Sequence, residues 1–346
     1  SGGLDSSAVV ALMSRILNRP IQTFSIGFSG NQYYNELAYA RQVAEHCGTE
    51  HHEYVVTPDV VGTVPKIIEH FGEPFAVSSA LPTYFLAKLA REKVKVVLTG
   101  DGADELMGGY YHRYLAVRLG RIFDRVPALT GGTRAVAKFL GNGRHRKLNK
   151  FLAGLSYPSP TRYFRYLTKF QEEEKMELYA SETRAAASGF DSRRELAEHF
   201  DRSPDGDLLN KWLYVDLKTT LRNEMMAKVD GMTMASGLEA RVPFLDHVLV
   251  ERVLSLPSSL KLRGLTSKFL LRKAVAGFLP KPILARAKHG FEVPLDDWIR
   301  GELHEYANDY LNEGRIAREG FFHWPAVERL LDWHGSHRAN VGHQIW

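Results

Sequence analysis

The run Val94-Lys95-Val96-Val97-Leu98-Thr99 reads as a strand, and it empties into Gly100-Asp101-Gly102-Ala103-Asp104-Glu105-Leu106-Met107-Gly108-Gly109-Tyr110. Open α/β sheets bind ligands outside the carboxyl ends of their strands. Carboxylates crowded there, as Asp101, Asp104 and Glu105 are, repel one another, so a cation is the natural reason to gather them. An exposed acidic turn is the plain alternative. Working back from this strand, the spacing predicts a helix over 82–91, a strand over 51–56, and a helix over 36–47 closed by Gly48. A strand over 21–28 and a helix that starts near Asp5 and ends before Pro20 complete the series. Strand and helix in alternation mean a parallel sheet with crossover helices. Beyond Tyr110 the pattern is helical, most strongly over 208–230, 247–256 and 268–278. The expected fold class is therefore α/β: a parallel twisted sheet with helices on both faces in residues 1–118, followed by a large helical region in 119–346, the whole forming one domain.

The first residues, Ser1-Gly2-Gly3-Leu4-Asp5-Ser6-Ser7, carry the second signal. Two glycines let backbone N–H groups approach a phosphate, the serines add hydroxyl donors, and the helix that follows turns its positive end toward the anion. An acid inside such a cradle makes sense chiefly if it holds Mg²⁺. An ordinary capped turn uses the same residue types. The Walker pattern GxxxxGK[ST] occurs nowhere in the chain. SGGxDS instead resembles the PP-loop of ATP pyrophosphatases, enzymes that leave an adenylate on the substrate. A glycine-rich turn of this kind normally follows a strand that aims it. The chain starts where such a strand should just have ended, so a longer protein with at least that strand upstream is expected.

The acidic turn makes the resemblance specific. Residues 100–110 are similar to the G(E/D)GxDExFGGY signature of the synthetase domain of glutamine-hydrolysing asparagine synthetases. Further segments resemble that family in order: Phe24-Ser25-Ile26-Gly27-Phe28, Gly48-Thr49-Glu50-His51-His52-Glu53, Ser79-Ala80-Leu81-Pro82-Thr83-Tyr84, Met226-Ala227-Lys228-Val229-Asp230, Leu238-Glu239-Ala240-Arg241-Val242-Pro243-Phe244-Leu245-Asp246 and Ser267-Lys268-Phe269-Leu270-Leu271-Arg272. The resemblance implies a PP-loop (adenine nucleotide alpha hydrolase-like) fold with ATP and Mg²⁺ as cofactors. It implies a ligase that adenylates a carboxylate, releases pyrophosphate, and transfers ammonia to give an amide and AMP.

The resemblance also assigns residues. Asp5 and Asp104 would hold the metal, and Ser1, Gly2, Gly3, Asp5, Ser6 and Ser7 would cradle the phosphates. Ile26, Thr99 and Gly100 would contact the adenosine. Lys268 would neutralise charge on the phosphates, and Asp101 would help form the adenylate and handle ammonia's proton. Asp101 departs from the glutamate of the classical members. Its reach is shorter by about 1.5 Å, more than the ~1 Å misplacement that matters in catalysis. Phe71-Gly72-Glu73-Pro74-Phe75 looks like bacterial homologues from polysaccharide-type gene clusters. The acceptor is accordingly aspartate in the leading reading, with another small carboxylate, as in a lactam-type synthetase, as the alternative. The family's N-terminal glutaminase domain has no counterpart in these residues.

Composition narrows the remaining classes. One cysteine among 346 residues excludes an intramolecular disulfide framework and a Cys-based zinc site. No apolar run of about 18 residues suggests a membrane span, no secretory signal opens the sequence, and a cytoplasmic setting is expected. The net charge of +5 conceals a segment, residues 112–150, with ten Lys/Arg and one acid. A PP-loop RNA-modifying enzyme would use such a stretch, but regularly spaced aromatics for base stacking and paired cysteines to carry sulfur are both missing, so a solvated helical surface is preferred. A catalytically silent subunit would not be expected to keep Asp5, Asp101, Asp104 and Lys268. Glu239, Arg241 and Asp246 read as braces of a turn. His51 and His52, adjacent on a strand, point to opposite faces and do not make a metal site with Cys47. Trp298, Trp324, Trp333 and Trp346 read as packing residues, with a homodimer contact as their other use.

Overall fold

Apolar spacing, glycine caps and short polar turns fix the first elements of the chain. The structure, a computed structural model, describes residues 1–17, 19–28, 35–57, 59–125, 132, 136, 151, 152, 154, 155, 157, 161–203 and 206–346. Helix α1 (Leu4–Ile16) leads to strand β1 (Gln22–Phe28), helix α2 (Leu37–Cys47) and strand β2 (Glu50–Val56). Gly48 ends α2 in the left-handed conformation, as its position predicts. Helix α3 (Val60–Phe71), which no expectation from sequence covers, contains Gly62 and Pro65. It forms nonetheless: Asp59 caps it by accepting from Gly62 N at 2.8 Å, and its apolar stripe is buried. Helix α4 (Ala80–Arg91), strand β3 (Val96–Leu98) and helix α5 (Ala103–Met107) follow.

The single parallel sheet expected from the alternation is present only as two separate parallel pairs. β1 pairs with β2 from Gln22↔Glu50 to Phe28↔Val56. β3 pairs with β4 (Glu239–Arg241), a strand contributed by the segment read from sequence as a braced turn. No strand among the described residues bridges the pairs. Phe24 of β1 and Val97 of β3 still pack on one small apolar cluster with Ala87, Ala90 and Leu238.

The expected helix over 208–230 is a composite. Leu208–Asp216 is α-helical, Leu217–Met226 is wound as a π-helix, and Ala227–Met234 returns to α. Beyond β4, the helices His247–Leu254, Phe269–Ala274 and Lys281–Ala285 join α1 and α5 around one core. Leu4, Ala8, Ala103, Leu106, Phe244, Leu271 and Ile283 are among its buried members. This core positions Asp5, Asp104 and Lys268, which lie at the ends of three elements that it locks together.

The chain forms two compact units. One comprises residues 1–111 with 203–293, and the other residues 112–202 with 294–346. The second is helical and is tied internally by Arg162, buried and paired with Asp124 at 2.6 Å, and by a strand-like bridge between Tyr179 and Phe322. Of the basic stretch, Arg134, Lys138, Arg144, Arg146, Lys147 and Lys150 lie outside the described residues. No helix among the described residues is long and apolar enough to cross a membrane.

Candidate active site

The opening turn is built by close backbone approach. Gly2 has φ +66°, and a Cβ there would run into the side chain and backbone of Tyr39 at the start of α2. Gly3 caps α1 without a side-chain hydrogen bond, so the first amides of that helix keep the unsatisfied N–H groups that anions favour. The loop hydroxyls hold one another: Ser1 Oγ lies 2.9 Å from Ser6 Oγ, and Ser6 Oγ donates to Gly3 O at 3.3 Å. Ser7 Oγ is buried with no hydrogen-bond partner.

The acidic turn lies against this loop. A Cβ on Gly100 would come within 2.6 Å of Ser6 N and 2.8 Å of Asp5 C, so only glycine lets the end of β3 touch the first turn of α1. Thr99 continues from β3, donating its N–H to Arg241 O at 3.0 Å, while its buried hydroxyl has no partner. Ile26 is buried in β1. Asp101 is half-buried and makes no hydrogen bond or ion pair among the described residues.

Lys268 joins the two turns. Its Nζ sits 2.5 Å from Asp5 Oδ2 and 2.5 Å from Asp104 Oδ1, and the residue is only 3% exposed. Sequence periodicity puts Lys268 inside a helix, but the structure places it before Phe269–Ala274 with φ 52° and ψ 38°, in the left-handed region. A non-glycine residue held there is strained, and such strain clusters at functional sites. A Cβ on Gly109 would overlap both the Asp104 carboxylate and the Lys268 side chain, so the second glycine of the Gly108-Gly109 pair makes room for this contact.

A second lysine, which sequence reasoning missed, completes the cluster. Lys288 Nζ is 2.5 Å from Asp104 Oδ2; its stem stays in solvent while its ammonium is held against the carboxylate. Nothing in Ala287-Lys288-His289 marks this residue as special, and it reaches Asp104 across 184 positions of sequence.

The electrostatics separate the carboxylates. Burial raises the Asp104 pKa, but Lys288 and Lys268 outweigh it and hold the carboxyl down at about 2. Burial pushes Asp5 up, Lys268 opposes, and the Asp104 charge adds to the rise; Asp5 Oδ1 is buried without a hydrogen-bond partner. Burial of its ammonium pulls Lys288 down, but Asp104 and Asp5 carry it above the ordinary lysine range. Glu105 is 1% exposed and pushed up to about 7, by burial and then by Asp104, while Tyr110 Oη donates to its Oε1 at 2.6 Å.

The cluster can hold a polyanion and a divalent cation together. Among the described residues no three His, Cys, Asp or Glu side chains form a metal cage. Two converging carboxylates, each with a buried oxygen that accepts no hydrogen bond (Asp5 Oδ1, and Asp104 Oδ1, which is ion-paired to Lys268), are a donor set that suits Mg²⁺, which binds through one or two carboxylates plus substrate phosphates. The remaining sequence candidates have structural partners. Arg241 pairs with Glu239 at 2.7 Å, and Asp246 caps His247–Leu254 by accepting from Leu249 N at 3.1 Å. His51 Nδ1 lies 2.8 Å from Thr23 Oγ1, and His52 stacks on Phe24.

Comparison with known proteins gives the family. The family model for asparagine synthase matches residues 1–346. The chain is 34% identical over 350 residues to "Asparagine synthetase [glutamine-hydrolyzing] 1" of Bacillus subtilis, covering 100% of this chain and 53% of that protein. It is 28% identical over 304 residues to the Gallus gallus "Asparagine synthetase [glutamine-hydrolyzing]", covering 84% of this chain and 38% of that protein. "Amidase chry2" of Gibberella zeae is 23% identical over 363 residues, covering 96% of this chain and 54% of that protein. The chain thus spans about half the length of these curated relatives.

Proposed function

The chain belongs to the asparagine synthase family, and from that premise we propose that it is an ATP-dependent, amide-forming ligase acting on a small carboxylate, with aspartate as the leading acceptor. The acid's carboxylate oxygen attacks the α-phosphorus of ATP, the bond to pyrophosphate breaks, and an acyl-adenylate forms. Ammonia then attacks the acyl carbon, loses a proton, and expels AMP, leaving the amide. The observation that carries this reading is the position of Lys268 Nζ, 2.5 Å from both Asp5 and Asp104. It brings together three motifs, two of them 263 residues apart, at the amino end of α1.

Each residue's role follows from its charge and placement. The first amides of α1 and the hydroxyls of Ser1, Ser6 and Ser7, with Gly2 and Gly3 giving access, would hold the phosphates. Ile26, Thr99 and Gly100 lie at strand positions suited to the adenosine. Lys268 and Lys288 would stabilise the charge that grows on the departing pyrophosphate. Asp101, half-buried with no partner of its own, is free to take ammonia's proton. Asp5 and Asp104 would hold Mg²⁺, which when bound supplies Lewis-acid neutralisation of phosphate oxygens. Ammonia would come from a glutaminase domain, as the names of the relatives suggest, and the PP-loop arrangement of α1 and the two strand pairs is part of the same proposal.

A screen of carboxylic acids with ATP, Mg²⁺ and ammonia tests the reading. Aspartate should support stoichiometric pyrophosphate and AMP. A different acid giving the strongest release would instead favour a lactam- or amide-forming relative, a reading to which the shorter Asp101 side chain points.

A further inference from the structure

Beyond Lys281–Ala285 the chain has no regular secondary structure from Arg286 to Pro294, yet this stretch delivers Lys288 to Asp104. A strap without a backbone ladder must be placed by side chains. Two guanidinium groups do this. Arg272, on the helix Phe269–Ala274, donates from Nε to Ser267 O at 3.0 Å, from one terminal nitrogen to Leu284 O, and from the other to Arg286 O at 3.2 Å. Its fork therefore ties the residue just before Lys268 to the strap just before Lys288. Arg286 in turn pairs with Glu36, donates to Ser1 O at 3.4 Å, and lies over the Tyr39 ring with its Cζ 4.1 Å from the centroid. Arg286 and Glu36 keep only 13% exposure each, and Glu36 immediately precedes α2, whose Tyr39 is the residue that Gly2 packs against.

We propose that Glu36, Arg272 and Arg286 form a brace that sets the position of the Lys288 ammonium relative to Asp104 and the opening turn, with Arg286 as a positioning residue at its centre. This rests on the reading of the cluster as a triphosphate site. Arg286 touches no reacting atom in this scheme. In an extended strap residues i and i+2 share a face, so fixing Arg286 on Glu36 and Ser1 fixes the direction in which Lys288 leaves the backbone. A planar fork can reach a carboxylate and a carbonyl while sitting over an aromatic ring, which a lysine ammonium, a point charge, does not reproduce.

Two variants, Arg286→Lys and Glu36→Gln, test the brace with two readouts. The first is the acetylation rate of Lys288 under limiting acetic anhydride, read by mass spectrometry against exposed Lys66. Held against Asp104, Lys288 should acetylate slowly in the wild type and about tenfold faster in each variant, the order of change expected when one exposed charge-assisted pair is lost. The second is turnover: kcat for pyrophosphate release should fall about 10–100-fold while KM for ATP stays within about threefold. The double variant should be no worse than either single one, because both break one unit. If Arg286→Lys fails to fold, Glu36→Gln, which changes a single oxygen to an amide, carries the same two readouts. Unchanged Lys288 labelling in the folded variants, or additive losses, would overturn the brace. A wild type that releases no pyrophosphate with any acid would overturn the ligase reading instead, and the labelling arm would still decide the brace.

Discussion

Asp5 and Asp104 end two different turns and face the same ammonium, yet their surroundings drive them apart. Asp104 is gripped by two lysines and stays ionised, held at about 2, whereas burial and its neighbour's charge lift Asp5, which pairs with Lys268 alone. The contrast shows a site with one carboxylate already neutralised by the protein and a second that still lacks a full counter-charge. The proposed cation and polyanion would use this imbalance: a cluster whose charges were all balanced would leave nothing for the substrate to complete.

The comparison breaks first at Asp104. Asp104→Ala is expected to reduce pyrophosphate release by about 10³-fold or more, since it removes the carboxylate proposed to hold Mg²⁺ and frees both lysines. Turnover within a few-fold of wild type would remove the assignment. Asp104→Asn should also bring the Asp5 carboxyl down, because a repelling charge is gone and the lysines remain; a carbon-13 NMR titration of Asp5 reads this directly.

Lys268 comes next. Lys268→Ala should cost about 10²–10³-fold in kcat, more than it costs in ATP affinity, if its charge matters most as pyrophosphate leaves. An unchanged kcat with a raised KM would make it a binding residue only.

The neighbouring acid sharpens the contrast through pH. Glu105 holds its proton up to about 7 in the folded protein, against an ordinary value of 4.5. Its contribution to stability is therefore greatest below pH 4.5 and is lost as pH rises toward 7, on the order of 3 kcal/mol. Asp104 behaves oppositely: its contribution is present above pH 3.8 and is lost as pH falls toward 2. Glu105→Gln should flatten the decline between pH 4.5 and 7 in urea midpoints; an unaltered slope would show that Glu105 is not its source.

The smallest effect concerns space. Gly109→Ala would press a methyl group against Asp104 and Lys268 and should cost about 1–3 kcal/mol in denaturant unfolding. A neutral result would mean that the two turns are more loosely apposed than the packing indicates.

What could be read from sequence divides along the same line as local and distant contacts. Helices α1, α2 and α4 and strands β1 and β2 follow from their own apolar spacing and caps, and so do the two turns bearing Asp5 and Asp104. Features that depend on partners far along the chain were not legible. Strand β4 is three residues long and exists because Glu239–Arg241 pairs with Val96–Leu98. Lys268 is singled out by the family resemblance, but its αL backbone is hidden in an apparent helix, and Lys288 is one basic residue among several. The helix over Val60–Phe71 was hidden for a different reason: Pro65 and Gly62 argue against a helix locally, and the burial of Val60, Val64 and Ile67 outweighs them.

Product analysis with ATP labelled at both the α and γ positions, in the presence of Mg²⁺, aspartate and ammonia, tests the account most directly. The wild-type protein should yield AMP and pyrophosphate in equal amounts with asparagine, and Asp104→Ala should yield neither. ADP and orthophosphate as the products would contradict it.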